Sequence, residues 1–239
     1  MQQNERHSGE EVMSFWSKTA SVVAVMWLFG VVFSLFMTAL LFLLRVYFVL
    51  NSGSNPPKTR SHVAVLVVAG SGGHTTEILR LMDSLSAAYT PRHYVIADTD
   101  KMSEEKIVSF ERCKPESHSD VQFTINRIPR SREVAQSWSS SVVSTLNALR
   151  YSIPLVFRLQ PDVVLCNGPG TCVPLCMTGL LLRILGIKKV GIVYVESICR
   201  VQTLSLTGRI LYLVSDYFFV QWSSLRDKYP KAIFLGRIV

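Results

Sequence analysis

The chain has 239 residues, 49% of them hydrophobic and 18% charged, with a formal net charge of +8. That length supplies one core of roughly 150 to 200 residues plus an additional element, and excludes two full domains. The positive balance suits ordinary solubility or attraction to anionic lipid head groups and phosphates, whereas the interleaved aromatic and basic residues of an RNA-binding sheet are missing, which argues against nucleic acid.

In chain order, the first feature is Thr19 to Leu44, rich in Val, Leu, Phe and Trp and without a charged residue. At about 1.5 Å per helical residue it exceeds the ~30 Å hydrocarbon core of a bilayer. A cleaved signal peptide would carry an apolar region of only about 7 to 15 residues ending in small residues, so the stretch reads as a retained transmembrane anchor. Trp27 lies mid-span, and Arg45 can extend its guanidinium to the interface. Arg6 and Lys18 flank one side; Arg45, Lys58 and Arg60 flank the other, a bias towards a cytosolic C-terminal domain. The chain therefore divides into a tail (1–18), an anchor (19–50), a linker rich in Ser, Asn, Gly and Pro (51–61) and a soluble domain (62–239). The five cysteines, Cys113, Cys166, Cys172, Cys176 and Cys199, are odd in number and show no C-x-x-C spacing. Most sit in apolar runs, which suits a reducing compartment, and the sequence has no N-x-S/T glycosylation acceptor.

Beyond the linker, apolar runs at Val63 to Ala69, Tyr94 to Ala97, Phe123 to Ile128, Val163 to Cys166, Val190 to Val195 and Tyr217 to Val220 read as strands. Several are apolar without alternation, the pattern of strands buried on both faces of a parallel sheet. Between them, Ile78, Leu79, Met82 and Leu85 recur at helical spacing in a helix opening near Thr75, and Trp138 to Leu159 carries Val142, Leu146, Leu149 and Ile153 on one stripe. Thr171 to Leu185 and Ser205 to Val214 supply further helices. The alternation predicts an α/β fold: an N-terminal transmembrane helix followed by one Rossmann-like, doubly wound parallel-sheet domain. Ligands of such sheets lie at the carboxyl ends of the strands.

The first of those ends is Gly70-Ser71-Gly72-Gly73-His74-Thr75-Thr76-Glu77. Its glycines allow a tight turn that brings a phosphate close to amides at the positive end of a helix, or serve only tight strand-to-helix packing. The dinucleotide fingerprint wants a small sixth residue, where Thr75 stands, and no Gly-Lys-Ser/Thr of a P-loop follows. His74 can bind phosphate, take a proton from a hydroxyl, or merely cap the turn; Glu77 reads as compensation of the helix dipole. The fourth strand ends in Asn167-Gly168-Pro169-Gly170-Thr171, a ligand contact or a plain turn. The fifth runs into Glu196-Ser197-Ile198-Cys199-Arg200, where Glu196 can accept from a sugar, act as base, or pair with a basic residue. Arg127, Arg130 and Arg132 surround Pro129 after the third strand, as lipid-phosphate ligands or a solvated loop.

The run Ala69 to Glu77, with Asn167-Gly168-Pro169-Gly170, Tyr194-Val195-Glu196-Ser197 and Leu235-Gly236-Arg237 behind an N-terminal anchor, resembles the asparagine-linked glycosylation protein fourteen family. The likeness covers the span and essentially the whole soluble domain. It implies the membrane-anchoring subunit of the UDP-N-acetylglucosamine transferase that performs the second step of dolichol-linked oligosaccharide assembly on the cytosolic face of the endoplasmic reticulum. The soluble part is similar to the acceptor-side half of the bacterial peptidoglycan N-acetylglucosaminyltransferase, a GT-B enzyme, in which the glycine loop, His74 and Glu196 fall on cleft positions; the Asn167–Gly168 loop is less similar. The chain ends at Val239, where that enzyme would enter its linker to a donor-binding domain, so the resemblance implies that this half resides in asparagine-linked glycosylation protein thirteen and that the chain alone transfers no sugar. It further implies inverting transfer to N-acetylglucosamine-diphosphodolichol, with the diphosphate held by the loop from Gly70 and Ser71 through Gly72, Gly73, His74 and Thr75. His74 and Glu196 compete as base, Asn167, Gly168 and Arg200 line the cleft, and neither cofactor nor bound metal is expected.

Two rivals stand beside this reading. A dinucleotide oxidoreductase is suggested by Asp98, just past the second strand but further from Gly70 than the ~20 residues usual for a ribose-binding acid. A pure scaffold would instead use the apolar end of the chain, Phe234 to Val239, for docking.

Overall fold

The computed structural model describes residues 2–51, 61–114, 122–132 and 136–239. The linker at 52–60, with Lys58 and Arg60, lies outside the described residues. Two compact units result, one up to Asn51 and the other from Ser52 onward.

The first unit is a single helix, α1 (Gln2–Asn51). It runs unbroken through the boundary expected at Thr19, because no proline or glycine pair interrupts it. Its Val25–Asn51 portion has a mean hydropathy of 2.4 and the length to cross a membrane. Trp27, Phe29, Phe33, Phe36 and Phe42 all stand exposed on it, an arrangement that water would penalise and lipid would not.

The second unit carries a seven-stranded parallel sheet among the described residues, in the order β3-β2-β1-β4-β5-β6-β7. Its elements are β1 (Val65–Val68), α2 (Gly73–Asp83), β2 (Arg92–Ala97), α3 (Lys101–Arg112), β3 (Phe123–Ile128), α4 (Trp138–Leu159), β4 (Val163–Asn167), α5 (Cys172–Ile184), β5 (Gly191–Val195), α6 (Leu206–Leu211), β6 (Tyr217–Val220), α7 (Ser223–Lys228) and β7 (Ile233–Phe234). The doubly wound architecture implied by the sequence is thus present. Val65, Val67 and Ala69 pack with Ile78, Met82 and Ile107 of α2 and α3 on one face. On the other, α5 lies close enough that a side chain at Gly179 would touch Val164 and Val190.

Four elements depart from the sequence reading. α3 (KMSEEKIVSFER) was hidden by its charge: Ser103 and Ile107, one turn apart, are its buried residues, and Asp100 caps it by accepting from the Ser103 amide at 3.1 Å. α7 and the two-residue β7 are too short for periodicity to reveal. In α4 the bounds agree, but the expected stripe is split: Leu149 and Ile153 are half-buried while its amino-terminal part points outward. Val142, Val143 and Leu146 are 59%, 68% and 60% exposed, whereas Ser141, Ala148, Ser152 and Val156 are buried. Small residues let α4 approach its neighbours closely, and the Ser144 and Thr145 hydroxyls donate to the Ser131 carbonyl. With that contact on the inner side, the larger apolar residues of the first turns, Val142, Val143 and Leu146, face outward.

At the opposite, amino end of the strands, Arg92 is fully buried and its Nη1 lies 3.3 Å from Glu111 Oε1. The Tyr94 hydroxyl also donates to Glu111. This satisfied ionic cluster ties β2 to α3 and lies away from the carboxyl edge.

Candidate functional site

Strand order reverses between β1 and β4, which are hydrogen-bonded neighbours with Val68 opposite Cys166. The loops leaving them therefore emerge side by side, at the switch point where doubly wound sheets bind ligands. Gly70 is buried, and a Cβ there would stand 2.6 Å from Pro169 Cγ and 2.9 Å from His74 Cβ, so glycine is required for the two loops to pack. Ser71, Gly72 and Gly73 are exposed. A side chain at Gly72 or Gly73 would meet nothing within 4 Å, and this open space lies before the first amides of α2, which have no partner within the helix.

Thr75 faces the other way. It is fully buried, donating to the Gly70 carbonyl and lying 2.6 Å from the Ser103 hydroxyl. Its side chain ties the loop to α3 and is closed to a diphosphate. That network occupies the place where a dinucleotide fingerprint has its third small residue.

His74 is held by β4. Its Nδ1 is 3.3 Å from Asn167 Oδ1, and Asn167 Nδ2 donates to the Val195 carbonyl at 3.3 Å. The second bond orients the amide so that its oxygen meets the ring; Nδ1 then carries the hydrogen, and in the neutral imidazole Nε2 is the basic nitrogen. Gly168 adopts φ +75°, and a Cβ there would lie 2.5 Å from Nδ1. Asn167 and Gly168 thus form the bed of the imidazole, and Asn167, fully buried, acts on the site through His74. The Glu77 carboxylate, 3.9 Å away, holds the His74 pKa above its ordinary value against the opposing pull of burial, with contributions from Asn167 and Glu196.

Glu196 is placed differently from a base waiting for substrate. The residue is fully buried. Oε1 accepts from the Ser197 amide at 3.1 Å and the Tyr194 hydroxyl at 3.3 Å, and Oε2 from the Ser205 amide and hydroxyl at 3.0 and 3.1 Å. These bonds fasten the β5–α6 loop into a closed turn. Burial nevertheless raises its pKa, the hydrogen bonds only partly offsetting it. In this arrangement both carboxylate oxygens are engaged in structural hydrogen bonds.

The remaining motif residues are less concentrated. Arg200 is exposed on the β5–α6 loop. Arg127 pairs with Glu104 of α3, Arg130 is half-buried, and Arg132 is near Gly170, its Cβ within 3.8 Å of a side chain built there. The expected basic cluster is therefore divided, with Arg132 beside the Asn167 loop and Arg127 drawn to α3. Asp98 is exposed past β2. The closing motif serves as a buttress: Arg237 lies 4.5 Å from the Trp222 ring centroid, and Trp222 donates to the Ile198 carbonyl at 2.8 Å. Ile238 and Val239 pack on the core cluster, while Phe234 and Leu235 stay exposed.

The sequence profile described as "Oligosaccharide biosynthesis protein Alg14 like" matches residues 65–238. The chain belongs to the Alg14 family. The human UDP-N-acetylglucosamine transferase subunit ALG14 is 61% identical over 204 residues, spanning 84% of this chain and 94% of that protein. The subunit of the same name from Yarrowia lipolytica is 40% identical over 206 residues, spanning 83% and 94%. Among solved structures, Acinetobacter baumannii MurG superposes with a TM-score of 0.49 at 16% identity, covering 73% of this chain and 45% of that one. Within this family member, sequence reasoning missed Glu77 and Ser197 as parts of the His74 site. The signal was the i,i+3 spacing of His74 and Glu77, which puts both on one face of α2.

Proposed function

We propose that this chain is the membrane-anchoring, acceptor-side subunit of a two-subunit UDP-N-acetylglucosamine transferase that adds the second N-acetylglucosamine to N-acetylglucosamine-diphosphodolichol at the cytosolic face of the endoplasmic reticulum. The observation that carries the reading is the open glycine loop at the start of α2, with His74 seated on Asn167 and Gly168 beside it, in a chain whose relatives are named UDP-N-acetylglucosamine transferase subunits. The word subunit supports a second polypeptide, here assigned as the donor-binding asparagine-linked glycosylation protein thirteen. The apolar α1 supports the anchor, and the outward stripe of Val142, Val143 and Leu146 supports a soluble domain that works against the bilayer.

In this reading the acceptor diphosphate lies against the amides of Gly72, Gly73 and His74, favoured by the positive end of α2. His74 Nε2 takes the proton of the acceptor 4-hydroxyl as that oxygen attacks the anomeric carbon of the donor sugar and UDP departs. Imidazole suits this step because its pKa lies near working pH. Asn167 fixes the tautomer, Gly168 gives the ring its room, and Glu196 holds the neighbouring loop closed.

The test is coexpression of the full chain with and without the donor-binding polypeptide, assayed with UDP-N-acetylglucosamine and N-acetylglucosamine-diphosphodolichol. Transfer should require both chains, and His74→Ala should lower it more than tenfold while leaving the partner bound. Transfer by this chain unaided, or failure to associate with a donor-binding polypeptide, overturns the reading; normal turnover of His74→Ala removes His74 from the chemistry.

A further inference from the structure

Glu77 has no part in the chemistry described so far, yet its surroundings single it out. Its Oε1 accepts from the Ser197 hydroxyl at 2.9 Å, from the loop after β5. Its Oε2 is buried with no hydrogen-bond partner among the described residues, and lies 3.9 Å from His74 Nδ1. At that separation Oε2 is a charge partner but not an acceptor, and Nδ1 has the closer Asn167 Oδ1 at 3.3 Å. Buried polar atoms are nearly always partnered. One left open towards a titratable ring points to a bond made in another protonation state.

We propose that Glu77 is the positioning carboxylate of His74: its open Oε2 receives Nδ1–H when the ring becomes imidazolium, and Ser197 holds the carboxylate in place for that moment. The proposal rests on the transferase reading and deepens it. As the acceptor oxygen forms its bond to the anomeric carbon, its proton passes to Nε2, and the bond to UDP breaks with its electron pair leaving on the diphosphate. The new positive charge on the ring then faces a carboxylate, and a ring movement of ~1 Å brings Nδ1 to hydrogen-bond distance of Oε2.

The surrounding electrostatics agree. Among the described residues, the charged groups that act on the ring are Glu77 from α2 and Glu196 from the end of β5, and both raise its pKa. Burial pushes the Glu77 carboxyl up, but the His74 ring and the Asn167 amide beside it, together with the hydrogen bond from Ser197, carry it below its ordinary value, so it is anionic at neutral pH. A base that must be neutral to act loses activity as pH falls through its own pKa. Removing Glu77 lowers that pKa, so the acidic limb of the rate profile moves down and the weaker base turns over more slowly.

The experiment uses the full chain with the donor-binding polypeptide in lipid nanodiscs, with UDP-N-acetylglucosamine and N-acetylglucosamine-diphosphodolichol as substrates. Glu77→Gln should reduce kcat about tenfold with KM little changed, and shift the acidic limb down by about one pH unit. Glu77→Asp should recover part of the loss, and Ser197→Ala should move both quantities in the same direction by less. In parallel, ring-carbon NMR of 13C-histidine-labelled full chain in detergent micelles, assigned with His74→Gln, reads the His74 pKa without any activity. A fall of about one unit in Glu77→Gln sustains the pairing. An unchanged pKa, or a lowered pKa with unchanged kcat, overturns the proposal. Should Glu77→Gln not fold, Ser197→Ala is read by the same criteria. If the wild-type pair transfers no sugar, the transferase reading falls, and the NMR titration alone decides the His74–Glu77 pairing.

Discussion

Replacing Gly168 with alanine tests the link between backbone and chemistry most directly. The residue sits at φ +75°, where a side chain costs about 1–2 kcal/mol. The added Cβ would stand 2.5 Å from His74 Nδ1 and 3.2 Å from Nε2. Restoring an ordinary contact of about 3.5 Å obliges the imidazole to withdraw by roughly 1 Å, which carries Nδ1 out of reach of Asn167, now 3.3 Å away. Two effects of different size follow. Stability should fall by the backbone cost, lowering Tm by about 2–8 °C at ~2–4 °C per kcal/mol. Transfer by the reconstituted pair should fall by about 10²-fold, the penalty for a base displaced by an ångström. Gly236→Ala supplies the comparison for melting, since that residue has φ +89° and nothing within 4 Å of a built Cβ; it should lose similar stability. Melting followed by circular dichroism of the full chain in detergent micelles, together with the transfer assay, separates the two effects. If Gly168→Ala melts lower yet transfers at the wild-type rate, the glycine does not serve the imidazole and the assignment of His74 as base is wrong.

Other expectations follow from the same geometry. Glu196→Gln turns an amide NH2 towards the Ser197 or Ser205 N–H donors, so the folded chain should lose about 1–3 kcal/mol in thermal melting; a normal Tm with a collapsed rate would return Glu196 to the role of base. Ala148→Leu forces a larger side chain into the buried face of α4 and should cost about 1–3 kcal/mol, whereas Leu146→Ser, at 60% exposure, should stay within about 0.5 kcal/mol; the reverse ranking in denaturant melts would refute the face assigned to α4. The His74–Glu77 pair should also shape stability against pH. The raised His74 pKa contributes stability below about 6.5 that is lost as pH rises through its folded value, and the depressed Glu77 pKa contributes stability lost as pH falls through its own. Glu77→Gln should therefore flatten the melting-temperature profile between acidic and neutral pH, and an unaltered profile would show the pair to be energetically idle.

The sequence by itself determined the architecture and which strand ends carry the candidate site residues. Charge-free length marks α1, unbroken apolar runs mark the buried strands, and glycine-rich turns mark the strand ends, because each of these signals is local and lies in residues near one another in the chain. What the tertiary structure alone decided is how distant side chains meet. Asn167 reaches His74, and Ser197 reaches Glu77, only because the strand order sets β1 beside β4 and β4 beside β5. For Glu196 the sequence offered a sugar, a proton or a basic partner, since its actual donors, Ser205 and Tyr194, are recognisable only once the loop has closed on it. The α4 stripe misled for a related reason: hydrophobic periodicity reports that a helix has two unlike faces, but the small residues that permit close packing, set against the loop at Ser131, decide which of them the fold buries.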